Sequence, residues 1–283
     1  MTDDDAEPSL AVLRQKRFRP PGPEIPEVDD LLLTADGSAS VPVRVYRHDS
    51  AAPRATCVYV HGGGFVFGDP DSHDRACRRL AALGGIDVVA VDYRRAPEHP
   101  APAAIEDVCA TLATIRHGLD DDRPLGLAGD SAGALIGLLA AESSDVDVDR
   151  LLLINPNADL TLSMPSIQSL GEGWGLSSRD LEWFVAQWAP TVRQRRSSAL
   201  NPLTRPLRAL PMTTVVTCQF DPLRDEGLAL VERVRSADRL ARHHHVEGMI
   251  HGIINLDAVS STARRVGDGI LSEFADDLRA SRG

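Results

Sequence analysis

The chain has 283 residues, of which 43% are hydrophobic and 25% charged, a composition typical of a soluble globular protein with room for one large α/β domain or two small ones. Its formal net charge of −11 argues against nucleic-acid binding, because no net positive field attracts phosphates. The four cysteines lie far apart, the N-terminus lacks the features of a signal peptide, and no apolar run is long enough for a membrane span. We therefore expect reduced cysteines and a cytoplasmic location.

The N-terminal part of the chain is polar and rich in proline. One helix is predicted around Ser9–Arg17, and the four prolines between residues 20 and 26 argue against regular structure after it. Val41, Val43 and Val45 then alternate with other residue types, which predicts a half-buried strand.

From this strand onward, short apolar runs alternate with segments of helical periodicity. Further strands are predicted at 56–60, 86–91, 125–128, 151–154, 213–218 and 242–246, and helices at 72–83, 102–117, 131–143, 229–237 and 259–278. Such alternation implies a mostly parallel sheet covered by helices on both faces. We interpret the run His243–His245 as part of a strand with alternating imidazoles rather than as a metal site.

The segment 157–210 interrupts this alternation. It shows no clear strand and contains all three tryptophans. The capping pattern Ser177-x-x-Asp180 stands at the start of one helical stripe, formed by Leu181, Phe184, Val185 and Trp188. Additional core packing would explain it, but a long insertion between sheet elements is usually functional. We therefore expect this segment to form a lid over a site.

The pentad Gly129–Gly133 has the pattern G-x-S-x-G and lies between a predicted strand and a predicted helix. A sharp strand-to-helix turn exposes the serine hydroxyl, small flanking residues permit the strained backbone, and the helix N-terminus favours developing negative charge. The pattern alone also fits a serine that only caps a helix. Ser131 is thus a candidate nucleophile, which requires a base and an acid that orients the base.

Candidates for the base and the acid follow the serine in the chain. His251 follows the last predicted strand and lies in a glycine-punctuated loop. Doubly wound folds present catalytic groups in such loops, at the carboxyl ends of strands. Asp221 likewise follows a predicted strand, although alone it would be interpreted as a helix cap. Asp225 is the alternative acid, in a position that also suits the first turn of a helix.

A run of glycines, His61–Phe65, follows the predicted strand at 56–60. Glycines let backbone N–H groups approach a carbonyl oxygen closely, and the N–H of Ala132, after the candidate nucleophile, would complete an oxyanion hole. A phosphate-binding or flexible loop is the alternative, but three consecutive glycines do not fit the dinucleotide pattern G-x-G-x-x-G.

Five segments together resemble the bacterial hormone-sensitive-lipase-like carboxylesterases. They are HGGGF at 61–65, DYRRAPEHP at 92–100, GDSAG at 129–133, DPLRDEG at 221–227 and MIHG at 249–252. The resemblance extends from about residue 41 to the C-terminus. It implies an α/β-hydrolase fold, with a mostly parallel eight-stranded sheet, helices on both faces and a helical cap.

The resemblance also implies a role for each candidate in the chemistry: the nucleophile is Ser131, the base His251 and the orienting acid Asp221. It divides the chain into an N-terminal cap segment at 1–40, a hydrolase core at 41–156 and 211–283, and a helical cap insertion at 157–210.

For the oxyanion hole, the resemblance implies the N–H groups of Gly62, Gly63 and Ala132, and leaves open which of the three glycines donate. Phe65 and Trp183 are the expected substrate contacts. The chain departs from the usual family pattern at Arg95, Ala101 and Ile253, and its N-terminal cap segment is short. These departures bear on the substrate rather than on the chemistry.

We therefore predict a serine carboxylesterase that hydrolyses small, short-chain esters through an acyl-enzyme and needs no metal or organic cofactor. Acyl transfer or lactone opening by the same residues is one alternative. A non-catalytic receptor that binds a ligand under the cap is another, although such proteins lack the base. Beyond the ester, no nucleic-acid or membrane partner is expected, and the sequence leaves homo-oligomer formation open.

Overall fold

A single sheet of eight strands organises the described part of the chain in the computed structural model. The structure describes residues 8–16, 20–34, 40–48, 54–120, 122–207, 210–237 and 240–282. The strands are β1 (Glu27–Leu33), β2 (Val41–Arg47), β3 (Thr56–Val60), β4 (Asp87–Val91), β5 (Leu125–Asp130), β6 (Arg150–Ile154), β7 (Met212–Phe220) and β8 (Ala241–Ile250). Their order across the sheet is β1-β2-β4-β3-β5-β6-β7-β8. Only the β1–β2 and β2–β4 pairs of this sheet are antiparallel, so the predicted mostly parallel α/β sheet is confirmed.

Helices cover both faces of the sheet. They are α1 (Leu10–Leu13), α2 (Pro70–Gly84), α3 (Ala103–Gly118), α4 (Ala132–Ser143), α5 (Pro165–Ser169), α6 (Ser178–Trp188), α7 (Val192–Arg195), α8 (Arg224–Ser236) and α9 (Ser261–Arg279). Short 3₁₀ turns lie at Pro202–Thr204 and Ile253–Asn255. None of the helices in the ranges described above is long and apolar enough to cross a membrane.

The two faces of the central strand β3 pack into two separate apolar clusters, because successive side chains of a strand point to opposite sides. Val58 and Val60 belong to the cluster that contains side chains of α3, α4 and α8. Cys57 and Tyr59 belong to the cluster that contains side chains of α2 and α9. All residues of β3 are buried, which is why this strand reads as a continuous apolar run in the sequence.

Strand β1 was not predicted, since the sequence analysis placed no regular structure between the proline-rich stretch and residue 41. Its side chains are exposed or half-buried, so no apolar pattern marks it. Backbone pairing with β2 and ion pairs across the two strands hold it at the sheet edge. Arg44 Nε lies 2.7 Å from Asp30 Oδ1, and Arg47 Nη1 lies 2.6 Å from Glu27 Oε1.

The predicted helix around Ser9–Arg17 is shorter in the structure. Helix α1 spans Leu10–Leu13, and Arg17 lies outside the described residues, as do positions 1–7 and 35–39 of the segment assigned to the N-terminal cap. Arg14, directly after α1, donates to both carboxylate oxygens of Glu98 at 2.7 and 2.8 Å. This ion pair ties the N-terminal segment to the loop after β4.

The segment 157–210 contains helices α5 to α7 and no strand among its described residues, positions 208 and 209 being outside them. The predicted capping box at the start of α6 is confirmed: Ser177 Oγ accepts the N–H of Asp180 at 3.0 Å, and the Asp180 side chain accepts from the N–H of Ser177. The buried side chains of α6 are the predicted stripe of Leu181, Phe184, Val185 and Trp188.

Candidate active site

Ser131 lies at a sharp turn between β5 and α4. Its backbone has φ 54° and ψ −122°, a conformation that L-residues rarely adopt. The turn brings the start of α4 against the end of β3, and a Cβ at Gly133 would lie 2.2 Å from the carbonyl oxygen of Val60. Only glycine permits this approach, so the G-x-S-x-G pattern is a packing requirement of the turn that presents Ser131.

His251 and Asp221 complete a chain of hydrogen bonds with Ser131. His251 Nε2 is 3.0 Å from Ser131 Oγ, and His251 Nδ1 is 2.9 Å from Asp221 Oδ2. The three residues follow β5, β7 and β8, whose carboxyl ends lie at one edge of the sheet. The structure thus brings together the predicted nucleophile, base and acid, although they are 30 and 120 positions apart in the chain.

The protonation of His251 is controlled by two opposing effects. Burial lowers the pKa of His251, but the charge of Asp221, its hydrogen bond to the ring and the charge of Asp130 outweigh burial, so the pKa lies above the ordinary 6.5. The imidazolium that forms when the ring accepts a proton is therefore stabilised in this site.

The candidate acid, Asp221, is held by a residue that the sequence analysis missed. Asn155, directly after β6, donates from Nδ2 to Asp221 Oδ2 at 2.8 Å, and the backbone N–H of Leu223 donates to Oδ1 at 2.9 Å. The sequence signal that could have identified Asn155 is its position directly after a predicted buried strand. The alternative acid, Asp225, is turned elsewhere: its carboxylate accepts from the Ser166 N–H and from Arg224 Nε.

The glycine loop after β3 does not match the predicted set of oxyanion donors in full. The N–H of Gly62 donates to Asp130 Oδ1 at 3.1 Å, so this group is already engaged and its assignment to the hole is not supported. The N–H groups of Gly63, Gly64 and Ala132 have no hydrogen-bond partner among the described residues. Three donors therefore remain, with Gly64 in place of Gly62.

A cavity of about 190 Å³ is lined by Ser131 and His251. Its remaining lining comes from the glycine loop and the residues after it, from the C-terminal end of β5, the start of α2 and the turn after His251, and from the segment 157–210 through Asn157, Leu176, Leu181, Phe184 and Val185. Side chains of the segment 157–210 pack closely against the glycine loop: a Cβ at Gly64 would lie only 2.5 Å from Phe184 Cγ. The segment predicted to form a lid thus supplies one wall of the cavity.

The two predicted substrate contacts differ in position. Phe65 is among the lining residues, and its ring stacks on Trp188 with centroids 4.3 Å apart. Trp183 is not among them; its ring packs edge-on against Phe184, 5.6 Å away. A direct contact between substrate and Trp183 is therefore not supported, because Phe184 occupies the cavity side of this pair.

The histidine run lies in strand β8, as predicted. His243 Nε2 and His245 Nδ1 are 2.9 and 3.0 Å from the Thr217 hydroxyl, whereas His244 Nε2 lies 3.0 Å from Glu273 Oε2. The imidazoles therefore alternate between the two faces of the strand. In the portion of the chain that can be described, no group of three or more His, Cys, Asp or Glu side chains is arranged to hold a metal ion.

Comparison with known proteins identifies the class to which this fold and site belong. Residues 57–255 match the family described as having the alpha/beta hydrolase fold. That stretch is well over half of the chain and includes the glycine loop, Ser131, Asp221 and His251. The chain belongs to the α/β-hydrolase family.

Individual relatives narrow the class. Carboxylic ester hydrolase LipN of Mycobacterium tuberculosis is 33% identical over 273 residues, which cover 90% of this chain and 72% of that protein. Ethyl acetate hydrolase of Pseudomonas putida is 31% identical over 251 residues, or 83% of this chain and 78% of that protein. The predicted resemblance to bacterial carboxylesterases of the hormone-sensitive-lipase-like group is confirmed.

Solved structures are similar over nearly the whole chain. The hyperthermophilic esterase from the archaeon Pyrobaculum calidifontis superimposes with a TM-score of 0.84 at 32% identity, covering 91% of this chain and 88% of its own. The carboxylesterase EstE1, cloned from a metagenomic library, gives a TM-score of 0.83 at 31% identity and covers 95% and 92%. The predicted α/β-hydrolase fold is thereby confirmed as well.

Proposed function

We propose that this protein is a serine carboxylesterase that hydrolyses small, short-chain esters through an acyl-enzyme on Ser131. The observation that carries the proposal is the continuous chain Ser131 Oγ–His251 Nε2 and His251 Nδ1–Asp221 Oδ2, at 3.0 and 2.9 Å, which borders a cavity. A serine with a base in reach, and a base with an orienting acid, is the arrangement that makes a hydroxyl nucleophilic.

In the proposed reaction, Ser131 Oγ attacks the acyl carbon while its proton moves to His251 Nε2. The carbonyl oxygen becomes an oxyanion, for which the N–H groups of Gly63, Gly64 and Ala132 are the available donors. Collapse of this intermediate breaks the ester C–O bond, and the leaving alkoxide takes the proton from His251. Water, deprotonated by His251, then attacks the acyl-enzyme and releases the carboxylic acid and free Ser131.

The size of the cavity supports a small substrate. Pockets for drug-sized ligands usually have volumes of about 300–1,000 Å³, whereas the cavity beside Ser131 has about 190 Å³. The wall supplied by α6 is apolar, with Leu181, Phe184 and Val185 among the lining residues. A short acyl chain with a small alcohol fits both properties, and ethyl acetate, named for the Pseudomonas putida relative, is an ester of this kind.

The organisation of the chain follows from the same proposal. Residues 157–210, with the N-terminal segment 1–40, would act as the cap, and residues 41–156 and 211–283 as the hydrolase core. We also propose that the protein acts in the cytoplasm, which agrees with its four free cysteines.

Covalent labelling combined with turnover tests this function. A fluorophosphonate should add its phosphonyl group to Ser131 of the wild-type protein, with loss of fluoride, and the intact mass should rise by one adduct. Ser131→Ala should remain unlabelled, and hydrolysis of p-nitrophenyl esters should fall steeply as the acyl chain lengthens from acetate. Labelling elsewhere, or undiminished turnover by the Ser131 variant, would contradict the proposal.

Product analysis separates hydrolysis from acyl transfer. With an added alcohol or amine acceptor, the proposal predicts the free carboxylic acid as the main product. A predominantly acylated acceptor would leave Ser131 as the nucleophile but would change the reaction to a transfer.

A further inference from the structure

A second histidine–aspartate pair lies beside the active-site cavity. Asp130, the residue before Ser131, and His73, in helix α2, are both buried, and both line the cavity. Neither has a part in the proton transfers of the proposed reaction. We propose that Asp130 and His73 are positioning residues that fix the place of the glycine loop, His61–Phe65, relative to Ser131. This inference rests on the function proposed above.

Asp130 connects the turn of the nucleophile directly to the glycine loop. Its Oδ1 accepts the N–H of Gly62 at 3.1 Å and the hydroxyl of Tyr59 at 2.9 Å. The loop runs so close that a Cβ at Gly62 would lie 2.5 Å from Asp130 Oδ2. The next two N–H groups along the loop, those of Gly63 and Gly64, are the free donors, so the position of this carboxylate sets theirs.

His73 holds the other oxygen of the same carboxylate. His73 Nε2 lies 3.2 Å from Asp130 Oδ2, and His73 Nδ1 lies 2.9 Å from Ser72 Oγ. Asn255 Nδ2 is 3.1 Å from His73 Nε2, and Asn255 ends the 3₁₀ turn that follows His251. The pair therefore contacts the elements that carry the nucleophile, the oxyanion donors and the base.

The charge of the pair also suits this place. Burial raises the pKa of Asp130, but the charge of His73 and hydrogen bonds from His73 and Tyr59 outweigh burial and hold the pKa below its ordinary value. Asp130 is therefore a carboxylate, which is a stronger acceptor for the Gly62 N–H than a neutral group. This carboxylate does not stand alone beside the developing oxyanion, because Tyr59, Gly62 and His73 all lie within hydrogen-bond distance of its oxygens.

The test separates a positioning role from simple structural support. Asp130→Ala removes the acceptor of the Gly62 N–H, and we expect kcat to fall by about 10²-fold, as for loss of one oxyanion donor, with KM within threefold of wild type. The inhibition constant of a trifluoromethyl ketone, which forms a tetrahedral oxyanion adduct with Ser131, should rise by the factor by which kcat/KM falls.

Conservative variants keep the test valid if Asp130→Ala folds poorly. Asp130→Asn retains an oxygen that accepts from Gly62, and we expect about a tenfold loss of kcat, since a charged acceptor is replaced by a neutral one. His73→Gln should behave similarly. Asp107→Asn is the matched control, because Asp107 is also a buried carboxylate but binds Arg94, in the loop after β4, instead; its kcat should stay within threefold.

The outcomes distinguish this inference from the function on which it rests. Folded Asp130 and His73 variants with wild-type kcat, or with raised KM at unchanged kcat, would overturn the positioning role while an inactive Ser131→Ala left the function intact. An equal loss of kcat in Asp107→Asn would also overturn it, since any buried carboxylate would then have the same effect. Activity retained by Ser131→Ala would instead defeat the proposed function.

Discussion

Two sets of serine, histidine and aspartate lie at the same cavity, which the serine and the histidine of both sets line, and they differ in how the serine is held. In the first set, Ser131 Oγ is 3.0 Å from the ring of His251. In the second set, Ser72 Oγ is 2.9 Å from the ring of His73, whose other nitrogen faces Asp130. Distances alone do not tell the two sets apart.

The difference lies in the backbone around each hydroxyl. Ser72 is the third residue of α2, where its hydroxyl donates to the carbonyl of Asp69 at 2.7 Å and accepts the N–H of Asp69 at 2.9 Å. Ser131 is held in a strained turn, and His251 is the hydrogen-bond partner of its hydroxyl. A hydroxyl that donates its proton to a backbone carbonyl cannot donate the same proton to an imidazole. A serine is therefore a candidate nucleophile only when its hydroxyl takes no part in capping a helix.

Removal of the Ser131 hydroxyl is the strongest test of the difference between the two serines. Ser131→Ala should lower kcat for p-nitrophenyl acetate by a factor on the order of 10⁴ to 10⁶, because the residues of such a set act as a unit. Circular dichroism should show an unchanged fold. Turnover above a few per cent of wild type, after contaminating esterases are excluded, would show that Ser131 is not the nucleophile.

Substitution of Asp221, the acid of the first set, should lower kcat nearly as much. Asp221→Asn should lower kcat by about 10⁴-fold, since an amide at this position favours the wrong tautomer of the His251 ring. Asp225→Asn is the matched control and should stay within a few fold, because its carboxylate binds Ser166 and Arg224 rather than His251. The reverse order of the two effects would make Asp225 the acid.

A substitution in the glycine loop should have an intermediate effect on kcat. Gly63 has φ 131°, and a Cβ there would lie 2.1 Å from the carbonyl oxygen of Phe67, so Gly63→Ala must displace the loop. We expect kcat to fall by about 10²- to 10³-fold with little change in KM, and steady-state kinetics would measure both. A raised KM at constant kcat would indicate that the loop binds substrate without stabilising the oxyanion.

The pH dependence of kcat/KM is a milder probe of the first set. His251 must be neutral to accept the proton of Ser131, and its pKa is raised, so activity should fall with decreasing pH through a midpoint above 6.5. The rate should stay level into mild alkali. A midpoint below 6.5 would show that burial outweighs the charges of Asp221 and Asp130, and a profile that peaks in acid would exclude His251 as the base.

The smallest effect is expected from the second serine. Ser72→Ala removes half of the capping box of α2 and should lower the free energy of unfolding by about 1 kcal/mol. Its kcat should remain within twofold of wild type, because the hydroxyl of Ser72 donates its proton to the carbonyl of Asp69 rather than to an imidazole. Thermal unfolding and steady-state kinetics on one preparation measure both, and a hundredfold loss of kcat would assign Ser72 to the chemistry.

The sequence predicted the parts of this protein that are built from local patterns. Buried strands such as β3 are continuous apolar runs, and the turn at Ser131 requires glycine where α4 approaches Val60. Ser131, Asp221 and His251 each follow a strand whose carboxyl end lies at the same edge of the sheet, so the topology brings them together. The order of the motifs therefore sufficed to place the candidate catalytic residues.

The features that escaped prediction depend on contacts between distant segments. The Gly62 N–H could not be known to be engaged, because its acceptor, Asp130, is 68 positions away. For the same reason His73, which lies on a predicted helix, gave no sign of its contact with Asp130. Strand β1 was missed because backbone pairing and ion pairs with β2, rather than a buried apolar face, hold it.

The contact between Phe184 and Gly64 has a consequence for attempts to broaden the range of esters. Because the aromatic ring stands where a side chain at position 64 would lie, the two positions share one volume. A shorter side chain at position 184 would enlarge the pocket, but it would also remove the packing contact that supports the glycine loop at Gly64. Variants that shorten Phe184 should therefore lose kcat even for esters that the enlarged pocket admits, and steady-state kinetics across acyl chain lengths would measure this loss.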